Sequence, residues 1–225
     1  MGTDNLHHKR RVGQLKRERK KIREYKNSIL IICEGEKTEP QYFKRFPTTN
    51  VKVATIGIGK SNIALIKDAI VIWKKKAAEG EYFERLWCVF DRDDFPLQNY
   101  NQSFENIVNE EEQLNKKYRK KIGRRVGINI AYSNQAFELW YLLHFDYIDT
   151  ALERFQYQNM LSHRMQREYK KNDPDMYSLL IKFQDVAINN AKKLEASIKI
   201  PLKHNHNPSS TVYQLVEELN LYLKK

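Results

Sequence analysis

Two runs, "ILIIC" (Ile29–Cys33) and "LWCVF" (Leu86–Phe90), contain no charged or amide side chain at either phase of a strand's alternation. A strand of that kind must be covered on both faces, which is the habit of parallel sheets in α/β proteins. "VKVATIGIG" (Val51–Gly59) and "VGINIAYSN" (Val126–Asn134) read as two further strands, rich in β-branched residues. Helical patterns separate them. "TEPQYFKRF" opens a helix with Pro40 in its first turn. Ser61–Gly80 has Ser61 as N-cap and Gly80 as stop, Ser103–Gly123 is charged and amphipathic, and "QAFELWYLLHF" (Gln135–Phe145) is short and apolar. Strand and helix in alternation predict a mainly parallel sheet flanked by helices. Beyond about residue 147 the chain reads as helices without strands. The expected organisation is a basic arm over 1–26, an α/β core over 27–146, and a helical C-terminal region over 147–225 packed on that core. At 225 residues, 41% of them hydrophobic, the chain can bury a real core and is neither a disordered segment nor a disulfide scaffold.

Charge is concentrated at one end. Residues 1–26 hold ten Lys and Arg against Asp4, Glu18 and Glu24, more than half of the chain's net +12. Arg10, Arg11, Lys16, Arg17, Arg19, Lys20 and Lys21 supply a footprint for nucleic-acid phosphates; the blander reading is a solvated, partly helical tail. Cys33 and Cys88 lie inside apolar runs, as buried thiols of a reducing compartment do. No apolar stretch reaches the roughly 18 residues that span a bilayer, so the expectation is a cytoplasmic protein with no membrane partner.

Both apolar strands empty into acids: Glu34-Gly35-Glu36 with Glu39 after the first, Asp91-Arg92-Asp93-Asp94 after the third. Ligands of open parallel sheets bind beyond the carboxyl ends of the strands. If the two strands are neighbours, these carboxylates meet, and like charges so crowded call for a cation between them. Hard oxygen donors suit Mg²⁺ or Mn²⁺. Asp91 and Asp93 point the same way in an extended segment, whereas Arg92 points elsewhere; Gly35 permits a sharp turn and close approach to the main chain. Taken singly, each cluster also fits solvated turn acids. Lys37 and Arg92 can contact a scissile phosphate or only balance the acids. Glu138, on the helix after the fourth strand, is a further candidate ligand or substrate contact, and the apolar residues around it read as core. In "PLKHNHNPSST", Lys203, His204, His206 and Ser209 offer a phosphate contact, or else a turn and N-cap for the last helix. The two histidines without a nearby cysteine do not make a zinc site, and "GIGKSN" lacks the first glycine of a P-loop.

A strand ending in Glu-Gly, followed by a strand ending in Asp-x-Asp, resembles the Toprim domain of topoisomerases, primases and some nucleases. "CEGEKTEPQYF", "VFDRDDF", "SNQAFELWYLLHF" and "NPSSTVYQLVEEL", in that order over about residues 28–220, more closely resemble the RloB family of small Toprim-like proteins found at prokaryotic defence and restriction loci. The resemblance implies that Glu34 is the Toprim glutamate, that Asp91 and Asp93 are the paired metal-binding aspartates, and that Glu36 and Glu39 support metal or orient water. Gln135 stands where a small residue or proline is expected. The implied activity is Mg²⁺- or Mn²⁺-dependent hydrolysis of DNA or RNA in a defence system, with any ATPase a separate partner encoded nearby. A non-catalytic nucleic-acid-binding or assembly module is the alternative. Strand passage or priming would require domains for which this chain is short.

Overall fold

The computed structural model describes residues 27–59, 62–92, 97–199 and 206–224. Strands β1 (Asn27–Cys33), β2 (Val51–Gly57), β3 (Arg85–Asp91) and β4 (Gly127–Asn134) alternate with helices α1 (Thr38–Lys44), α2 (Asn62–Ala78), α3 (Leu97–Ile122) and α4 (Glu138–Leu143). Then follow α5 (Arg154–Met165), α6 (Met176–Leu180) with a 3-10 turn over Ile181–Phe183, α7 (Gln184–Ser197), a two-residue strand β5 (Ser209–Ser210) and α8 (Val212–Asn220). The sheet order is β2-β1-β3-β4-β5, with the first four strands parallel and β5 antiparallel to β4. The mixed α/β architecture expected from the alternation is the one observed.

Strand alternation divides the core in two. Ile29, Ile31, Cys33, Trp87 and Val89 face α1 and the C-terminal helices, whereas Leu30, Ile32, Leu86, Cys88 and Phe90 face α2 and α3. Residues 29–33 are no more than 1% exposed. Burying this row contributes on the order of 10 kcal/mol before conformational entropy is counted, which is why β1 is central.

Element bounds and one strand differ from the sequence reading. Helix α3 begins at Leu97 rather than Ser103; the intervening Asn and Gln residues carry no apolar periodicity to announce it. Helix α4 is shorter than Gln135–Phe145. The stretch beyond residue 147 is not free of strands, because Ser209 and Ser210 pair with Asn134 and Ser133. Two residues are too short to show a period of two. Ser61, expected as an N-cap, lies outside the described residues.

Candidate functional site

In the order β2-β1-β3-β4 the connections turn one way from β1 to β2 and the other way to β3, so the switch point lies between β1 and β3. Two hydrogen bonds join the strand ends there. The Glu34 N–H donates to the Val89 carbonyl at 2.8 Å, and Glu34 Oε2 accepts the Asp91 N–H at 3.1 Å. The first two acids are thereby fixed side by side.

The turn after β1 brings a third. Glu39, in the first turn of α1 and 5% exposed, folds back over Gly35 so closely that a Cβ at residue 35 would lie 2.1 Å from Glu39 Oε2. Any side chain there would displace the Glu39 carboxylate. Gly57, at the end of β2, has a harder constraint, since its Cβ would meet the Gly35 backbone carbonyl oxygen at 2.3 Å. The fourth acid, Glu138, opens α4, is 4% exposed, and accepts the Tyr169 hydroxyl at 3.1 Å. Helices α1 and α4 are held in register by Tyr42, whose ring lies 5.9 Å from Phe137 and 5.7 Å from Tyr141, in edge-on and tilted contacts.

Glu34, Glu39, Asp91 and Glu138 line one cavity of about 410 Å³, together with Gly35, Glu36, Lys37, Thr38, Phe137, Arg154, Lys171 and Asn172. Its electrostatics are those of crowded acids. Burial, and then the negative charges of Glu39 and Glu138, push the Asp91 carboxyl well above the ordinary aspartate range; Arg154 opposes them. The Glu39 carboxyl is also raised, first by burial and then by Glu138, against the pull of backbone N–H groups and Lys171. Asp91 Oδ2 lies 3.4 Å from Arg154 Nη2, while Asp91 Oδ1 is buried with no hydrogen-bond partner. Four carboxylates and an orphaned oxygen fit a hard divalent cation in donor chemistry. Among the described residues, however, no three His, Cys, Asp or Glu side chains are arranged to hold a metal ion as they stand.

The expected site residues thus divide. Glu34, Glu39, Asp91 and Glu138 come together, and Glu36 and Lys37 are exposed along the same cavity. Arg92 does not line it: the residue is 6% exposed, its N–H donates to the Ser133 carbonyl at 2.8 Å, and its charge acts on Tyr132. His206 and Ser209 build a turn. The His206 carbonyl accepts the Ser209 hydroxyl at 2.6 Å and Asn134 Nδ2 at 3.0 Å, and His206 Nδ1 donates to the Pro208 carbonyl at 2.9 Å. Asp93, Lys203, His204 and the arm residues Arg10, Arg11, Lys16, Arg17, Arg19, Lys20 and Lys21 lie outside the described residues.

Sequence reasoning missed the wall opposite the acids. Arg154 opens α5, and Tyr169, Lys171 and Asn172 follow on the loop after it; Asn172 Oδ1 accepts the Thr38 hydroxyl at 2.7 Å. The spacing of Glu153 and Gln156, which form a capping box, announces the helix start. Nothing in it announces that the helix returns to the strand ends. None of the described helices is long and apolar enough to cross a membrane.

Fold and pocket define a doubly wound α/β protein with an acidic site at its switch point. A protein-family model described as RloB-like protein matches residues 29–219, and the chain belongs to that family. No curated protein and no solved structure matches it.

Proposed function

We propose that the protein is a divalent-cation-dependent nuclease of Toprim type, hydrolysing phosphodiester bonds of DNA or RNA. The observation that carries this reading is the meeting of four largely buried carboxylates at the switch point, one of them, Asp91, with an oxygen that no group among the described residues satisfies. An arrangement so costly in like-charge repulsion is a poor structural device and a good cation site. Glu34 and Asp91 are the first residues that would hold Mg²⁺ or Mn²⁺, with Asp93 as a third. When bound, the cation supplies charge neutralisation at the phosphate and activation of a water.

The chain's own residues do the rest. Glu34 is oriented by its bond to the Asp91 N–H, which holds its carboxylate against the end of β3. Glu39, whose carboxyl holds a proton more readily than an ordinary glutamate, suits proton exchange at the reacting oxygens. Lys37, exposed beside the cavity, suits a non-bridging phosphate oxygen. The basic arm suits nucleic-acid backbone beyond the cavity. Membership in the RloB-like family supports, in this proposal, a cytoplasmic role in prokaryotic defence, with a separate ATPase as partner.

A second reading is a non-catalytic nucleic-acid-binding module, and one observation favours it: the described residues form no ready three-ligand metal group. The test is incubation of the purified chain with labelled DNA, total RNA and tRNA in Mg²⁺ or Mn²⁺, beside an Asp91→Ala/Asp93→Ala variant. Cutting that needs metal and vanishes in the variant is the expected result. Retained salt-sensitive binding without cutting in any metal overturns the nuclease in favour of the module.

A further inference from the structure

Segment 154–172 leaves the sheet and comes back to its acids. Its start is set by the capping box, in which the Glu153 N–H donates to Gln156 Oε1 at 2.7 Å. Buried Tyr157 and Leu161 press α5 onto the core. Its far end is pinned twice, by Tyr169 to Glu138 and by Asn172 to Thr38. On this anchored backbone stand two long cations at the cavity, Arg154 and Lys171. Arg154 pairs with Asp91, and Lys171 lines the same cavity as Glu39.

The contact between Arg154 and Asp91 is loose. It spans 3.4 Å, and the arginine side chain is 40% exposed. An ion pair of that length and exposure is weak.

We propose that Arg154 and Lys171 are positioning cations of the pocket, serving two successive partners. Before a divalent cation arrives they offset the charge of Asp91 and Glu39. Once the carboxylates hold a divalent cation, the demand on them falls, and the guanidinium and ammonium groups turn to the non-bridging oxygens of a phosphate seated against it. The cavity's ligand is therefore a phosphate anion that enters together with a divalent cation, gripped from one side by acids through the cation and from the other by the α5 wall. The proposal rests on the reading of the pocket as a cation site.

Calorimetric titration of Mn²⁺ into the full chain, compared with Arg154→Ala, Arg154→Lys and Lys171→Ala, separates the two ideas. Removing a competing positive charge should tighten Mn²⁺ binding about fivefold in Arg154→Ala and less in Lys171→Ala, with Arg154→Lys near the parent. Binding of a short fluorescein-labelled DNA or RNA strand, with Ca²⁺ in place of Mn²⁺ to hold back cleavage, should move the other way. It should weaken about tenfold in both Arg154→Ala and Arg154→Lys, because lysine keeps the charge but loses the two-pronged grip. Unchanged circular dichroism verifies that the variants fold. If the parent chain binds Mn²⁺ but Arg154→Ala binds it equally or more weakly, the positioning role is wrong and the cation site stands. If neither parent nor variant binds Mn²⁺, the cation site itself is wrong and this inference falls with it.

Discussion

The two ends of one sheet treat charge in opposite ways. At the amino ends of the strands each acid has a base. Arg124 reaches Glu84 at 3.3 Å and Asn27 at 2.6 Å, Arg85 reaches Glu218 at 3.3 Å, and Glu81 is held by Lys52 and Lys76. The Trp87 indole donates to Glu218 at 2.5 Å. Hydrogen bonds from Lys52 and Lys76 hold the Glu81 carboxyl below the usual range, while burial outweighs Arg124 and raises Glu84. At the carboxyl ends acids face acids, and Asp91 and Glu39 are raised in part by their neighbours' charge. The lesson is that the same sheet holds acids paired with bases at one end and crowded like charge at the other. Crowded carboxylates with raised proton affinity make the carboxyl end the candidate site.

The largest expected effect breaks the comparison at its carboxyl end. Asp91→Ala should lower metal-dependent cleavage at least about 100-fold in single-turnover assays, whereas Glu218→Ala at the opposite end leaves it within about twofold. Equal losses in both would erase the distinction. Next comes a titratable group at neither end. His144 on the flank of α4 is 1% exposed, donates from Nδ1 to the Trp140 carbonyl at 2.9 Å, and is pulled by burial to about 4. Its folded pKa lies below that of the unfolded chain, so its contribution is complete above about 6.5 and is lost as pH falls toward the folded value, about 3 kcal/mol in all. Proton NMR of the imidazole should show no titration near 6.5; a midpoint there would remove this contribution.

At the amino end, Glu218→Ala should destabilise by about 1–3 kcal/mol in urea unfolding, since the indole of Trp87, itself 5% exposed, loses its acceptor. Lys76→Ala should cost no more than about 0.5 kcal/mol, because its pair with Glu81 is partly solvated. A cost above that of Glu218→Ala would show that the exposed pairs, and not the indole contact, hold this end together.

How much of this was legible follows from where each signal sits. The adjacency of Glu34 and Asp91 was legible because two strands apolar on both faces belong at the centre of a parallel sheet. Their acids then share its carboxyl end. Glu138 was legible for the same reason, as the first turn after the next strand. Arg92 shows the alternation rule outranking proximity: one residue beyond Asp91, it is turned into the protein and away from the cavity. Arg154 and Lys171 were not legible. Their helix reveals itself by capping and by Tyr157 and Leu161, but which surface those apolar residues would find depends on tertiary packing over long separations. Strand β5 escaped because its two serines pair through hydrogen bonds rather than through any apolar pattern.

Thermal unfolding of the parent chain, Asp91→Asn and Glu218→Gln, each with chelator and with saturating Mn²⁺, tests the contrast between the two ends most directly. With chelator, Asp91→Asn should melt about 2–4 °C above the parent, because a crowded negative charge is gone, and Glu218→Gln should melt below it. Mn²⁺ should then raise the parent and Glu218→Gln by several degrees through preferential binding to the folded state and leave Asp91→Asn unmoved. An Asp91→Asn protein that melts lower than the parent and still gains stability from Mn²⁺ would contradict the account, placing the costly crowding of charge and the cation somewhere other than the switch point.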